Sequence, residues 1–435
     1  MGLMGVMANT HAQNGFNMPY SQFGIGIGEM PFNMPMATRM GGAVYTSGGN
    51  NYVNPFNPAS YATVEMESFV FDMGLGIQTS TLRDGNSTLR DADGNLGYLA
   101  FAMPVTRWWK LAGGLMPLTT VNYESVSQST YLDSNIVKTI YDGNGGVSQA
   151  FLGSAFNIPA GKGRTLQVGF NVNYLTGHVQ RNISFEFQGN DSTYFMDSRR
   201  QRDTRLGNLT FDFGLQLRQQ LGEKYTLGLG LLYKPYRDMT VRDMALIYTY
   251  HPSTSSPVIV EQIFPDSTET DGFNSRMEQS QTLGVGLSFE RNKRWRVAAD
   301  ATFGSWNGMR YTEDSAHSIL GNSALRYGPY SRYALGFERL GDMDASNYWG
   351  RISWSAGAHV EQGSMYLELG GADCRIDEWG LGLGATLPMR KGRSLLTLSL
   401  GYSSYGAVDV LQRNTLTFGI AVSSCERWFV KRKFN

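Results

Sequence analysis

Two short stretches of the chain contain residue types that enzymes and metal sites use. Residues 314–318, Asp-Ser-Ala-His-Ser, hold a carboxylate, hydroxyls and an imidazole, which are the ingredients of a hydrolase. No Gly-x-Ser-x-Gly motif occurs in the chain, and this stretch falls in a predicted polar loop. Residues 91–95, DADGN, repeat half of a calcium-binding loop but lack the later glutamate, so an Asp-Gly turn is favoured.

Metal and phosphate chemistry is also unsupported. The 5 histidines include no two at a metal-ligand spacing. Gly-x-Gly steps such as Gly382-Leu383-Gly384 lie on predicted strands with no helix after them, so they provide small side-chain faces and no phosphate cradle. We therefore expect no enzyme activity, no metal and no cofactor.

The composition is typical of a transmembrane β-barrel. Charged residues make up 17% of the chain, below the usual quarter, and the 52 glycines exceed the usual proportion. The formal net charge is zero, which gives no indication of a nucleic-acid partner. No apolar run approaches the ~18 residues of a membrane helix. Aromatic, glycine-rich and charge-poor chains without long apolar runs are how such barrels appear.

Alternation of apolar and polar residues predicts about 14 strands from residue 65 onward. Short turns alternate with long polar loops, which is the plan of an outer-membrane barrel and has no counterpart in a soluble sandwich. The fold class predicted is therefore all-β, a transmembrane antiparallel barrel. The predicted strands are 65–79, 95–104, 108–124, 146–158, 164–178, 205–220, 225–241, 276–290, 295–311, 329–340, 347–361, 376–389, 394–405 and 413–424.

The N-terminal part does not share this alternation. Residues 1–12 are predicted to be the remnant of a signal peptide, with a disordered leader as the alternative. Residues 13–62 show no sustained period and carry only Glu29 and Arg39 as charges, and Asn-Pro steps in NPFNPASYA exclude regular structure there. The barrel is predicted over 63–425, with a periplasmic tail over 426–435.

Charged residues on the polar faces of the strands are the remaining candidate site residues. They are Asp72, Asp212, Arg218, Lys234 and Asp300. One interpretation is that they hydrate the lumen and dock an internal segment. The alternative is that Arg218 or Lys234 holds a ligand carboxylate at the end of an apolar pocket.

Several separated motifs resemble one family. These are MGG (40–42) followed by NPFNPASYA, LGVGLSFERNKRWRVAADATFGSW (283–306), WGLGLGATLPMRKGRSLLTLSLGYSSYG (379–406) and RWFVKRKF (427–434). Together they resemble the FadL/TodX-type outer-membrane transport proteins, in the form found in Bacteroidetes-like bacteria. The resemblance implies a barrel plugged by an N-terminal hatch, here Asn57, Pro58, Ala59 and Ser60. Members that carry long-chain fatty acids tend to have NPAG, so NPAS leaves the substrate class open.

The resemblance also implies a route for a ligand. Hydrophobic molecules would adsorb in a groove between the third and fourth extracellular loops (179–204 and 242–275), enter the lumen and leave sideways at a kink in the third strand. Both loops are apolar, although these residues could instead extend the strands above the membrane or pack on each other. The kink could likewise be an ordinary bulge. The groove candidates are Phe185, Phe187, Phe195, Ile259, Ile263 and Phe264, and the kink candidates are Gly113, Gly114 and Pro117.

The function expected is passive uptake of a hydrophobic or amphipathic small molecule, such as a long-chain fatty acid, across the bacterial outer membrane. Burial of an acyl chain contributes about 0.8 kcal/mol per methylene, so capture needs no energy source. Outer-membrane lipids would surround the barrel. The alternative is a scaffold that does not transport but docks envelope protein partners of a secretion or assembly complex.

Overall fold

A computed structural model describes residues 17–28, 34–84, 87–131, 135–188, 196–251, 258–263, 273–306, 309–312, 325–369, 372–389, 393–407 and 411–427. The predicted signal remnant (1–12), the hydrolase-like stretch (314–318), and Phe195 and Phe264 of the predicted groove lie outside these residues.

The strands are β1 (Ile27–Gly28), β2 (Ser68–Asp84), β3 (Ser87–Pro104), β4 (Trp109–Tyr131), β5 (Asn135–Pro159), β6 (Arg164–Gln188), β7 (Asp197–Leu221), β8 (Tyr225–Lys234), β9 (Arg237–His251), β10 (Val258–Ile263), β11 (Phe273–Gln279), β12 (Thr282–Arg291), β13 (Trp295–Gly304), β14 (Met309–Thr312), β15 (Leu325–Tyr327), β16 (Tyr330–Arg339), β17 (Ser353–Gln362), β18 (Met365–Leu369), β19 (Ala372–Arg375), β20 (Asp377–Met389), β21 (Ser394–Ala407) and β22 (Leu411–Arg427). Helical turns are few: 3-10 turns at Pro19–Gln22 and Pro58–Thr63, α1 (Pro35–Thr38) and α2 (Tyr348–Arg351).

These strands form a closed antiparallel barrel with 14 strand positions around the ring. Because some of these positions are filled by two consecutive pieces of strand, we call each position a stave. The pairs β8/β9, β12/β11 and β13/β14 are each two pieces of one stave, and β2 closes the ring against β22. β1 is added to the inner edge of β4, and β10 forms a hairpin on β9. The small sheet of β15, β18 and β19 is separate from the barrel. The predicted fold class and stave count are thus confirmed.

The predicted long loops are partly wrong. β6 continues to Gln188 and β7 starts at Asp197, so most of the segment 179–204 is paired strand. The fourth loop contains the end of β9, all of β10 and the start of β11. In the third segment Ile183, Phe185 and Phe187 alternate as strand residues do, a signal that the loop prediction passed over. The described apolar residues of both segments thus lie largely on strands, and a groove between the segments stays a prediction.

Large apolar side chains cover the outside of the staves in a band. Residues such as Ile77, Leu152, Leu229, Leu287 and Leu381 are each more than 40% exposed. Exposed aromatic residues border this band on both sides, as in other membrane barrels. They include Tyr174, Tyr233, Tyr333 and Tyr402 towards the long strand ends, and Trp108, Tyr225, Phe289 and Trp354 towards the short turns. No helix in the described part of the chain is long and apolar enough to cross a membrane.

Glycines on the inner faces of the staves form a seat for the N-terminal chain. A Cβ atom placed on Gly357 would lie 2.2 Å from the backbone carbon of Met40, and one on Gly169 would lie 2.5 Å from the backbone of Pro58. Gly214, Gly230 and Gly382 have similarly close approaches to residues 38–59. Because opposite walls of the barrel touch the same segment, residues 34–64 lie inside the lumen. We call them the inner plug segment.

Replacing Gly357 by valine is expected to displace the inner plug segment while the barrel still closes. The new side chain would collide with backbone atoms of Met40 and Gly41, which cannot rotate away. Overpacking of this kind costs about 1–3 kcal/mol or more. Protease cleavage within residues 34–64 should accelerate, whereas Gly94→Val, whose Cβ would come no nearer than 3.8 Å to Gly76, should leave cleavage unchanged. Equal cleavage of the two variants would show that the inner plug segment does not depend on a glycine at position 357.

Candidate functional site

Lumen-facing charges hold the backbone of the inner plug segment. The Asp300 carboxylate accepts hydrogen bonds from the Val44 and Tyr45 amides, at 2.5 and 2.8 Å. Asp72 accepts one from the Val53 amide at 3.0 Å. The Arg218 guanidinium lies 3.5 and 3.4 Å from the carbonyl oxygens of Thr46 and Gly48. Arg218 thus contacts the plug directly, as one of the two sequence interpretations expected.

The NPAS motif lies where the plug meets three staves. Asn57 is fully buried, and its amide donates to the carbonyl oxygens of Tyr45, Leu215 and Leu231 at 2.8, 3.4 and 3.3 Å. Its Oδ1 accepts from the Ala59 amide and so caps the 3-10 turn that Pro58 begins. The Ser60 hydroxyl donates to the carbonyl oxygen of Asn54 at 2.9 Å. The motif therefore makes a rigid corner, which explains Pro58 and the nearby Pro55.

An ion triad anchors α1 to the barrel wall. Arg39 pairs with one oxygen of Glu338, and Arg296 donates to the other at 2.9 Å. The three side chains are at most 9% exposed. A buried carboxylate between two guanidinium groups is stabilised only while both partners remain, so this triad couples the plug to β13 and β16.

Residues 17–28, the outer plug segment, lie nearer the long strand ends. β1 pairs with β4 through Ile27–Thr120 and Gly28–Thr119. The Met18 amide donates to the Asn122 carbonyl at 2.7 Å, and the Tyr20 hydroxyl donates to the Leu411 carbonyl at 2.7 Å. Arg181 on β6 donates to carbonyl oxygens of Gln22 and Gly24. The segment thus bridges β4, β6 and β22.

The ring of staves is not paired along its whole height. β3 pairs with β4 only from Leu99–Leu115 to Pro104–Lys110. In the described chain, residues 87–98 of β3 have no ladder partner on the side facing β4, and that edge of β4 is instead lined by the outer plug segment. We call the unpaired stretch between β3 87–98 and β4 116–131 the seam. It opens at the outer part of the apolar band, near the exposed side chain of Leu96.

The predicted kink residues lie at the lower end of the seam. Gly113 and Gly114 are in regular pairing with both neighbours and pack beneath the rings of Phe101 and Phe151. The irregularity comes just afterwards, where the register with β5 shifts between Pro117 and Thr119. Proline lacks the N–H that a ladder needs, so β4 diverges from β3 at this point.

A cavity of about 230 Å³ lies between the two plug segments. Gly26, Ile27 and Gly28 of the outer segment line one side, and Val44, Tyr45 and Phe56 of the inner segment line another. Leu118 and Thr119 of β4 also line it, so the cavity reaches the seam. An apolar cluster containing Ile25, Leu175, Met239 and Met277 packs nearby.

The charged residues of the cavity form a second set. They are Asp212, Lys234, Asp300, Arg332, Glu361 and Glu378. Lys234, one of the two predicted carboxylate contacts, lines the cavity with its Nζ 3.9 Å from Asp212 Oδ1. A carboxylate contact of Lys234 stays a prediction.

The predicted groove residues divide into two groups. Phe185 and Phe187 lie on β6 at the same alternation as the lumen-facing Arg181, so they lie on the inner face of the extended wall. Phe185 is 38% exposed. Ile259 and Ile263 lie on β10, opposite Tyr250 and Ile247 of β9. β7 and β9 separate the two groups within one sheet, so any shared groove must span them.

Several of these residues were missed from the sequence. Glu338 and Arg296 fall on the inward alternation of β16 and β13, so the pattern could have placed them in the lumen. Glu361 and Glu378 could have been found in the same way. The contacts of Arg39 and of residues 17–28 had no local signal, because the N-terminal chain has no period.

The whole chain, residues 1–435, matches the family model of BamG. The chain belongs to the BamG family. The FadL/TodX resemblance is therefore corrected at the level of family and holds for the fold. No curated protein sequence matches the chain.

Solved structures similar to this BamG-family barrel are outer-membrane channels. A FadL homologue of Pseudomonas aeruginosa has 11% identity and a TM-score of 0.55, covering 93% of this chain and 100% of its own. The toluene transporter TodX of Pseudomonas putida has 14% identity and a TM-score of 0.52, with coverages of 94% and 100%. The toluene transporter TbuX of Ralstonia pickettii has 14% identity and a TM-score of 0.51, with coverages of 92% and 98%. These likenesses show the fold, that of a multi-pass barrel of the bacterial outer membrane.

Proposed function

We propose that this BamG-family barrel passes a hydrophobic or amphipathic small molecule, with a chain like that of a fatty acid, through the plugged lumen and out through the seam. The observation that carries the proposal is the contact between cavity and seam at Leu118 and Thr119. A fully paired barrel wall would deny a molecule in the lumen any sideways exit. The toluene transporters that share the fold are consistent with a small hydrophobic cargo.

The route has three stages. Phe185 and Phe187 provide apolar surface on the inner face of the wall above the cavity, where a molecule would first adsorb. The cavity then holds the molecule between the plug segments. Movement of the outer plug segment away from β4 would open the way to the seam, and the fixed inner segment would keep bulk solutes out.

Native mass spectrometry of the protein, extracted from its own membrane in a mild detergent, tests the proposal. We expect a stoichiometric adduct of small mass that is lost in Leu118→Asn and Leu175→Asn, because both side chains line the cavity. Leu209→Asn is the matched control, since Leu209 lies on β7, away from the seam, and is 48% exposed. An adduct that survives both cavity variants, or the lack of any adduct, would contradict transport.

A scaffold role is the second candidate, and the height of the wall favours it. β5, β6 and β7 each have 25 residues, although a membrane-crossing strand needs only about 9–11. The excess builds a rigid paired surface above the membrane, which passive transport does not require. A protein companion that co-purifies reproducibly, without a small-molecule adduct, would support this candidate over the first.

A further inference from the structure

The charge of the cavity wall bears on which head group the cargo carries. Among the six charged residues that line the cavity, four are carboxylates and two are cations. Such a wall is formally anionic even though the chain as a whole is neutral. Charges that line a cavity of low dielectric act on a ligand far more strongly than charges in water do.

Most of these charges have partners within the protein. Lys234 lies 3.9 Å from Asp212, and Arg332 Nε lies 3.9 Å from Glu361 Oε2. Asp300 accepts two plug amides, and Glu361 also accepts from the Tyr330 hydroxyl at 3.3 Å. The fourth carboxylate, Glu378, has the His359 imidazole at 3.9 Å, a group that need not be charged.

Three of the charged residues lie across the barrel from Leu118 and Leu175, two apolar residues that line the cavity. Arg332, Glu361 and Glu378 lie on β16, β17 and β20, the tenth to twelfth staves of the ring. Leu118 lies on the third stave, beside the seam, and Leu175 lies on the fifth. A molecule that spans the cavity would therefore meet carboxylates at one end and apolar side chains at the other.

We infer that the cavity takes an amphiphile whose polar end is cationic or donates hydrogen bonds, and that it discriminates against anionic amphiphiles such as fatty acids. The polar end would lie against Glu378 and Glu361, and the apolar end would point towards Leu118, Leu175 and the seam. An ammonium group would give Glu378 a charged partner beside the His359 imidazole. A carboxylate would add a further anion beside two existing ones, which is disfavoured. This inference rests on the proposed transport function.

Three labelled probes with the same chain test it: dodecylamine, 1-dodecanol and dodecanoate. Each is titrated separately against the protein in phosphatidylcholine nanodiscs, and uptake by empty nanodiscs is subtracted. We expect dodecylamine to bind at least about tenfold more tightly than dodecanoate, with dodecanol between them. Glu378→Gln should remove most of this preference. Glu223→Gln, in the exposed turn between β7 and β8, should leave it unchanged.

The outcomes separate the inference from the function beneath it. Equal binding of all three probes, or tightest binding of dodecanoate, would overturn the inference and leave transport of an apolar cargo intact. No saturable binding of any probe above empty nanodiscs would overturn the transport proposal itself. The wild-type ratio alone decides between these results if Glu378→Gln does not fold.

Discussion

Glu338→Gln is expected to lower the free energy of unfolding by about 3–5 kcal/mol, because it leaves two buried guanidinium groups without their counter-charge. Arg39 and Arg296 both donate to the Glu338 carboxylate, and all three side chains are at most 9% exposed. Glutamine keeps the shape of the side chain but can neutralise neither cation. Urea unfolding in phospholipid vesicles, followed by tryptophan fluorescence, measures the change.

A triple variant separates charge from packing. Arg39→Met, Glu338→Leu and Arg296→Met together replace the triad by apolar groups of similar size, which is often neutral or stabilising at buried ion pairs. We therefore expect the triple variant to recover most of the stability lost in Glu338→Gln. A loss below about 1 kcal/mol in Glu338→Gln would mean that solvent reaches the triad, since exposed ion pairs contribute little.

Arg39→Met alone tests the link between the triad and the plug. It leaves the Glu338–Arg296 pair within the wall and removes only the partner that belongs to the inner plug segment. The barrel should stay folded, while protease cleavage within residues 34–64 should accelerate.

The barrel was predictable because its signal is local. Alternation such as that of Leu229, Leu231 and Tyr233 is visible within ten residues, and each stave repeats it independently. The outer ends of the staves were predicted too short, since β4 and β5 continue past the apolar band in polar sequence. Interruptions such as Pro235, between β8 and β9, were also missed, because the alternation continues on both sides of the break.

The site was less predictable because its residues meet through the plug. Asp300 and Arg218 were placed on the lumen face correctly, but nothing near them in sequence identifies Val44 or Thr46 as partners. The glycines of the inner face show the same limit. Small inner faces were expected, whereas the close approach of Met40 to Gly357 depends on how a segment without any period folds.

A disulfide between positions 27 and 120 is expected to reduce uptake of a hydrophobic probe to that of protein-free vesicles. Ile27 and Thr120 are directly opposite in an antiparallel pair, whose Cα atoms lie about 4.5–5.5 Å apart, within the range that a disulfide spans. The bond would hold the outer plug segment on the edge of β4 and keep the seam closed. The measurement is uptake by proteoliposomes carrying Ile27→Cys/Thr120→Cys, after Cys374 and Cys425 are changed to serine, before and after reduction.

The pair Val285→Cys/Ala301→Cys provides the matched control. These residues are opposite each other on β12 and β13, and Val285 faces outward, so their disulfide joins two staves without touching the plug. Uptake should be the same in the oxidised and reduced control, but should return only on reduction in the 27/120 variant. If the oxidised 27/120 variant transports as well as the reduced one, the outer plug segment does not move during transport. The outer plug segment would then still cover this edge of β4 during transport. The cargo would therefore have to leave by a path other than the seam.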